Sequence, residues 1–102
     1  MSEFSVELTP EAREDIVRLY EFWLSIDIEV AERVIHVIES AWDSLRKHPY
    51  ICRKADDGSA GPLWREFLID FGNSGYVALF EIQEGNIVKV SAVRHQRESD
   101  YH

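Results

Sequence analysis

The chain has 102 residues, 45% of them apolar and 29% charged, which is enough for one hydrophobic core and too little for two, so a single domain over 1–102 is expected. The formal net charge is -8, and it is uneven: residues 1–50 hold eleven acids and five bases, residues 51–102 eight and six. So acidic a chain excludes non-specific nucleic-acid binding, which depends on lysine and arginine contacts to phosphate, and no direct DNA binding by this chain is expected.

In chain order, Phe4, Val6 and Leu8 alternate with Ser5 and Glu7, the period of a short half-buried strand. The opening Met1-Ser2-Glu3-Phe4 lacks the basic and apolar regions of a signal peptide, and no apolar run approaches the roughly 18 residues that cross a bilayer. A cytoplasmic location without membrane association is therefore expected. Thr9-Pro10 supplies an N-cap and a first-turn proline for a helix whose stripe is Ala12, Ile16, Leu19, Tyr20 and Trp23. Glu11, Glu14, Asp15 and Glu21 are expected on its acidic outer face. Asp27 caps a second helix with the stripe Ala31, Val34, Ile35, Ile38, Ala41, Trp42 and Leu45, closed by Arg46-Lys47-His48 and stopped by Pro49. The short connection predicts an antiparallel helical hairpin.

Residues Tyr50 to Pro62 form a loop rich in Gly, Asp and Ser, with Arg53-Lys54 near its start. Its single cysteine, Cys52, has no partner for an internal disulfide, and His36, His48, His95 and His102 lack metal-ligand spacing, so no metal or other cofactor is expected. Three β-rich runs follow, Leu63 to Phe71, Tyr76 to Ile82 and Ile87 to Val93, joined by the turns Gly72-Asn73-Ser74-Gly75 and Glu84-Gly85-Asn86. They predict a β-meander. The middle run is apolar on both parities except for Glu81 and is expected to be central. Trp23, Trp42, Trp64 and Tyr76 are expected in the core. Arg65 shares a parity with Leu63, Phe67, Ile69 and Phe71, so it is read either as paired with a helix acid such as Glu39 or Asp43 or as a target contact. At the end of the last strand Arg94-His95-Gln96-Arg97 gathers cations on an otherwise acidic chain, and is read as a candidate binding surface. The whole is expected to be an α+β fold of two layers, β-α-α-β-β-β, with the helical hairpin packed on the meander.

The order strand, helical hairpin, meander, together with His48-Pro49 followed by Arg53, the stretch Leu63 to Phe80 (LWREFLIDFGNSGYVALF) and the ending Val93-Arg94-His95-Gln96-Arg97-Glu98, resembles the RelE/ParE superfamily, which includes plasmid stabilisation proteins. The resemblance implies the toxin of a type II toxin-antitoxin pair, held inactive by a cognate antitoxin. RelE-like members cut messenger RNA on the ribosome; ParE-like members poison DNA gyrase. A nuclease of this kind needs a base, cations and an acid at one phosphate, and the residues that match its set are Arg53, Lys54, Arg97 and Tyr101. The turn Gly72-Asn73-Ser74 lacks the arginine common in the family, and Tyr101 lies closer to Arg97 than in the RelE nucleases. The expectation is therefore a non-enzymatic, ParE-like toxin that contacts gyrase through Arg65, Arg94, His95, Gln96 and Arg97. The alternatives are a RelE-like ribosome-dependent endonuclease and a degenerate, non-toxic member that still binds antitoxin. For that antitoxin the sequence predicts a groove beside the hairpin, an open sheet edge, and basic residues to meet the acidic first helix.

Overall fold

The computed structural model describes residues 3–55, 64–72 and 74–96. Leu63, Asn73, Arg97 and Ser99 to His102, on which several expectations rest, lie outside them. Strand β1 (Ser5–Leu8) leads into α1 (Pro10–Leu24) and α2 (Ile28–Lys47); a single 3-10 turn (Pro49–Ile51) precedes the two-residue strand β2 (Arg53–Lys54), and β3 (Trp64–Phe71), β4 (Ser74–Gln83) and β5 (Ile87–His95) follow.

The helix ends form where local chemistry demands them. Thr9 Oγ1 accepts the Ala12 N–H at 3.1 Å ahead of Pro10, and Asp27 Oδ1 accepts the Glu29 N–H at 2.9 Å, each meeting an amide that the first turn leaves without a partner. Between Gln83 and Ile87 the β4–β5 turn needs left-handed backbone at two positions; Gly85 takes φ +82 and Asn86 +59, and only these residue types adopt it cheaply.

The five strands form one sheet in the order β1-β5-β4-β3-β2, with β4 central as its two apolar faces predict. The meander pairs are antiparallel, whereas β1 joins the far side of β5 in parallel, Val6 opposite Val88 and Leu8 opposite Val90. Both helices cover one face. Their stripe, with Ala12, Val34, Ile38, Ala41 and Leu45, meets Ile69, Tyr76, Ala78, Phe80, Ile82, Val88, Val90 and Val93 in one core. Trp42 and Tyr76 are buried there; Trp23 and Trp64 are half-buried. Among the described residues, the outer side of β3 beyond Glu66 has no strand against it, so an open edge is present as expected.

Besides β2, which falls within the stretch Tyr50 to Pro62 expected to be a loop, two features depart from the sequence-based expectations. The register of β5 skips one residue: Phe80 pairs with Val90 and Leu79 with Ala92, leaving Ser91 as a bulge. Because side chains alternate along a strand, the extra residue changes which parity faces the helices, so Val88 and Val90 point inward before it and Val93 after it. The second departure is Asp15, expected in water on the acidic face of α1. It is buried, 8% exposed, whereas Glu11, Glu14 and Glu21 are exposed as predicted.

Candidate functional site

The end of β5 carries the cation-rich segment. Arg94, opposite Val77, is exposed on the face away from the helices, while His95, opposite Tyr76, is half-buried on the helix side. His95 there helps line a cleft of about 420 Å³ with Arg18, Leu19, Phe22, Trp23 and Tyr76. The cleft walls are tied together: the Trp23 Nε1–H donates to the Tyr76 hydroxyl at 2.8 Å, and the Tyr76 and His95 rings meet edge-on at 5.6 Å. Edge-on packing suits the quadrupoles of aromatic rings. Gln96 borders the β3–β4 turn from the other direction, since a Cβ on Gly75 would stand 2.9 Å from its Nε2. Phe22, which lines the cleft, is exposed, as are Leu24, Ile26 and Ile28 where α1 passes into α2, while the exposed Val17 lies on the other flank of α1 beside Ile35 and His36 of α2. Exposed large apolar side chains are candidates for an interaction surface.

The remaining candidates lie elsewhere. Arg53 pairs with Glu66 at 3.0 Å on edge strand β2, and Lys54 follows it opposite Arg65. Strands β2 and β5 are three spacings apart, about 14 Å, so Arg53 and Lys54 are not brought together with Arg94, His95 and Gln96. Arg97 and Tyr101 lie outside the described residues.

Arg65 does not meet Glu39 or Asp43. Its Nη1–H donates to the Cys52 carbonyl at 2.7 Å, and its guanidinium lies over the Tyr50 ring, 5.5 Å from the centroid, while Nε is buried without a partner. The reason is topological: β3 enters the sheet beside the turn that leaves α2, so Arg65 faces Tyr50 and Cys52 rather than the helix flank, and Asp43 is occupied by Arg46. Burial pushes the Cys52 thiol above its ordinary value of 9.0, and the neighbouring Arg65 charge partly opposes the shift. Among the described residues no three His, Cys, Asp or Glu side chains stand close enough to hold a metal.

Sequence reasoning missed Asp15. Its Oδ2 accepts the Val93 N–H at 2.9 Å and its Oδ1 accepts from Arg18 Nη2 at 2.8 Å. The signal was present: position 15 falls three after Ala12 and four before Leu19, within the buried stripe.

Comparison with known proteins meets this geometry from outside. Residues 6–100 match the family model described as the ParE toxin of the type II toxin-antitoxin system, parDE. Toxin RelE3 of Caulobacter vibrioides is 31% identical over 92% of this chain and 96% of its own length, and Toxin RelE1 of the same organism is 34% identical over 90% and 92%. In fold, a chain of the chromosomal ParDE system from P. aeruginosa matches with a TM-score of 0.72 at 16% identity, over 91% of this chain and 96% of that one. A chain of the RelBE2 toxin-antitoxin complex from Mycobacterium tuberculosis matches with a TM-score of 0.60 at 22% identity, over 92% and 99%. With the helical hairpin, the meander and a family match running from β1 past the end of β5, the chain belongs to the ParE toxin family of type II toxin-antitoxin systems.

Proposed function

We propose that this protein is the toxin of a type II pair, neutralised by a cognate antitoxin, and that it acts by binding DNA gyrase through the end of β5 rather than by cutting messenger RNA. The observation that carries this reading is the division of the cations. Arg53 is engaged with Glu66 at one sheet edge, and Arg94, His95 and Gln96 lie three strand spacings, about 14 Å, across the sheet from it. Cleavage through the RNA 2'-hydroxyl needs its base, acid and cations at a single phosphate. The net charge of -8 also opposes approach to ribosomal RNA at distances within about a Debye length of 8 to 10 Å. The surface proposed for the target is Arg94, His95 and Gln96, with Arg97 following in sequence; Arg65, engaged by Cys52 and Tyr50, is assigned to the fold instead. The exposed apolar residues of α1 and the hairpin turn, with the open edge of β3, are the surface proposed for the antitoxin.

The names of the two Caulobacter relatives favour a second reading, a RelE-like ribosome-dependent nuclease. Expressing the full chain without its antitoxin separates the two. Filamentation with a DNA-damage response, and inhibition of purified gyrase supercoiling by the purified chain, are expected. Translational arrest with cleavage of ribosome-bound messenger RNA would overturn the gyrase reading, and an absence of any growth effect would overturn the toxin reading.

A further inference from the structure

We infer that Asp15 is a positioning residue whose buried carboxylate completes the unpaired side of β5 and so sets which way Arg94, His95 and Gln96 point. The inference rests on the proposed role of that segment as the target surface.

Strand β1 ends at Leu8, opposite Val90, yet β5 continues to His95. Past Val90, no strand of the described sheet borders β5 on that side, and a strand edge left in this way presents its backbone groups unpaired. The start of α1 supplies the missing partners. The Thr9 N–H donates to Val90 O at 2.9 Å, Thr9 Oγ1 donates to Ser91 O at 3.3 Å, and Asp15 Oδ2 accepts the Val93 N–H at 2.9 Å.

The position of Asp15 gives it a consequence beyond stability. The bulge at Ser91 lets the strand choose which parity faces the helices. A slip of one residue would exchange the faces of Arg94 and His95, withdrawing the histidine from the cleft and turning the arginine into it. Asp15 grips the backbone one residue before Arg94 and two before His95, from the same helix that supplies Arg18, Leu19, Phe22 and Trp23 to the cleft. Packing alone does not account for a carboxylate here. Position 15 sits between Ala12, Ile16 and Leu19, facing the core, where an apolar side chain would complete the stripe and a buried charge is costly without a specific partner.

The test uses the full chain carrying Asp15→Leu, Asp15→Asn or Arg94→Ala, with two readouts: growth inhibition on expression without antitoxin, and amide hydrogen exchange of the purified proteins. Asp15→Leu removes the acceptor while keeping the branched shape of the side chain. It is expected to speed exchange at Val93, Arg94 and His95 while core amides such as Ile38 keep their protection, and to cut growth inhibition by about tenfold or more, the equivalent of about 1.4 kcal/mol of target affinity. Asp15→Asn keeps an acceptor oxygen and is expected to restore both readouts, which a role of the charge alone would not allow. A folded Asp15→Leu protein with wild-type growth inhibition, while Arg94→Ala has lost it, overturns the proposal and leaves the target-surface reading standing. Full growth inhibition by Arg94→Ala overturns that reading and the proposal with it. Should Asp15→Leu fail to fold, Asp15→Asn decides: loss of either Val93 protection or growth inhibition in that variant overturns the proposal.

Discussion

Replacing Arg65 with methionine tests whether this half-buried cation serves the fold, and its environment allows the cost to be worked out. Methionine matches the unbranched stem and leaves only the guanidinium missing. The variant loses a charged hydrogen bond to the Cys52 carbonyl, formed at 2.7 Å, which contributes about 1.5 to 3 kcal/mol. It also loses the stacking over Tyr50, an exposed ring, a contact of about 0.5 to 1 kcal/mol at such sites. Against these stands Nε, buried with no partner, whose desolvation of about 1 to 3 kcal/mol is recovered when the guanidinium goes. The terms nearly cancel. A net loss of about 1 kcal/mol is expected, or about 4 to 8 °C in the thermal midpoint of a domain this small, read by circular dichroism melting. The same variant reports on Cys52. Arg65 holds the thiol down against burial, so removing the charge should push the thiol further up and slow its alkylation at a fixed, mildly alkaline pH. A loss above about 3 kcal/mol would refute the cancellation, and faster alkylation of a folded variant would refute the assigned sign of the Arg65–Cys52 interaction.

Gly75→Ala should be among the most damaging single substitutions, costing about 3 kcal/mol or more, because its Cβ would overlap the Ile69 carbonyl oxygen and crowd Gln96 Nε2; a melting temperature equal to wild type would contradict this. Association with a cognate antitoxin should slow as salt rises, with the dissociation rate little changed, because Glu11, Glu14 and Glu21 present an exposed acidic face on α1. Stopped-flow rates at low and high ionic strength measure it, and a salt-independent association rate would remove charge steering from the account.

Much of the candidate site could be read in advance only as a set of residues. That Arg94 and His95 end a strand, with Gln96 just past it, followed from the β-rich run before them, but the opposite faces of Arg94 and His95 did not. Val88, Val90 and Val93 break the two-residue period at Ser91-Ala92, a mark of the bulge that is visible once the pairing of Leu79 with Ala92 is known. The cleft was not visible at all. Its walls come from α1, β4 and β5, and Trp23 and Tyr76 are joined across 53 positions of sequence.

What the sequence determined by itself is what neighbouring residues settle among themselves. Thr9-Pro10, Asp27 and His48-Pro49 bound the helices because capping and proline geometry act within a turn. The alternation in β3 and β4 set their faces, and β4 was central because both of its faces are apolar. The tertiary structure alone decided matters that depend on which distant segments meet. The pairing Arg53 to Glu66 and Lys54 to Arg65 makes β2 a strand, though its two residues carry no β signal. Arg65 found Tyr50 and Cys52 rather than Glu39 or Asp43, because the entry of β3 beside the end of α2 determines what lies within reach of a guanidinium. Asp15 was an acid on a helix until β1 proved to end opposite Val90 while β5 runs on to His95; the Val93 N–H beyond its end is what draws a carboxylate into the core.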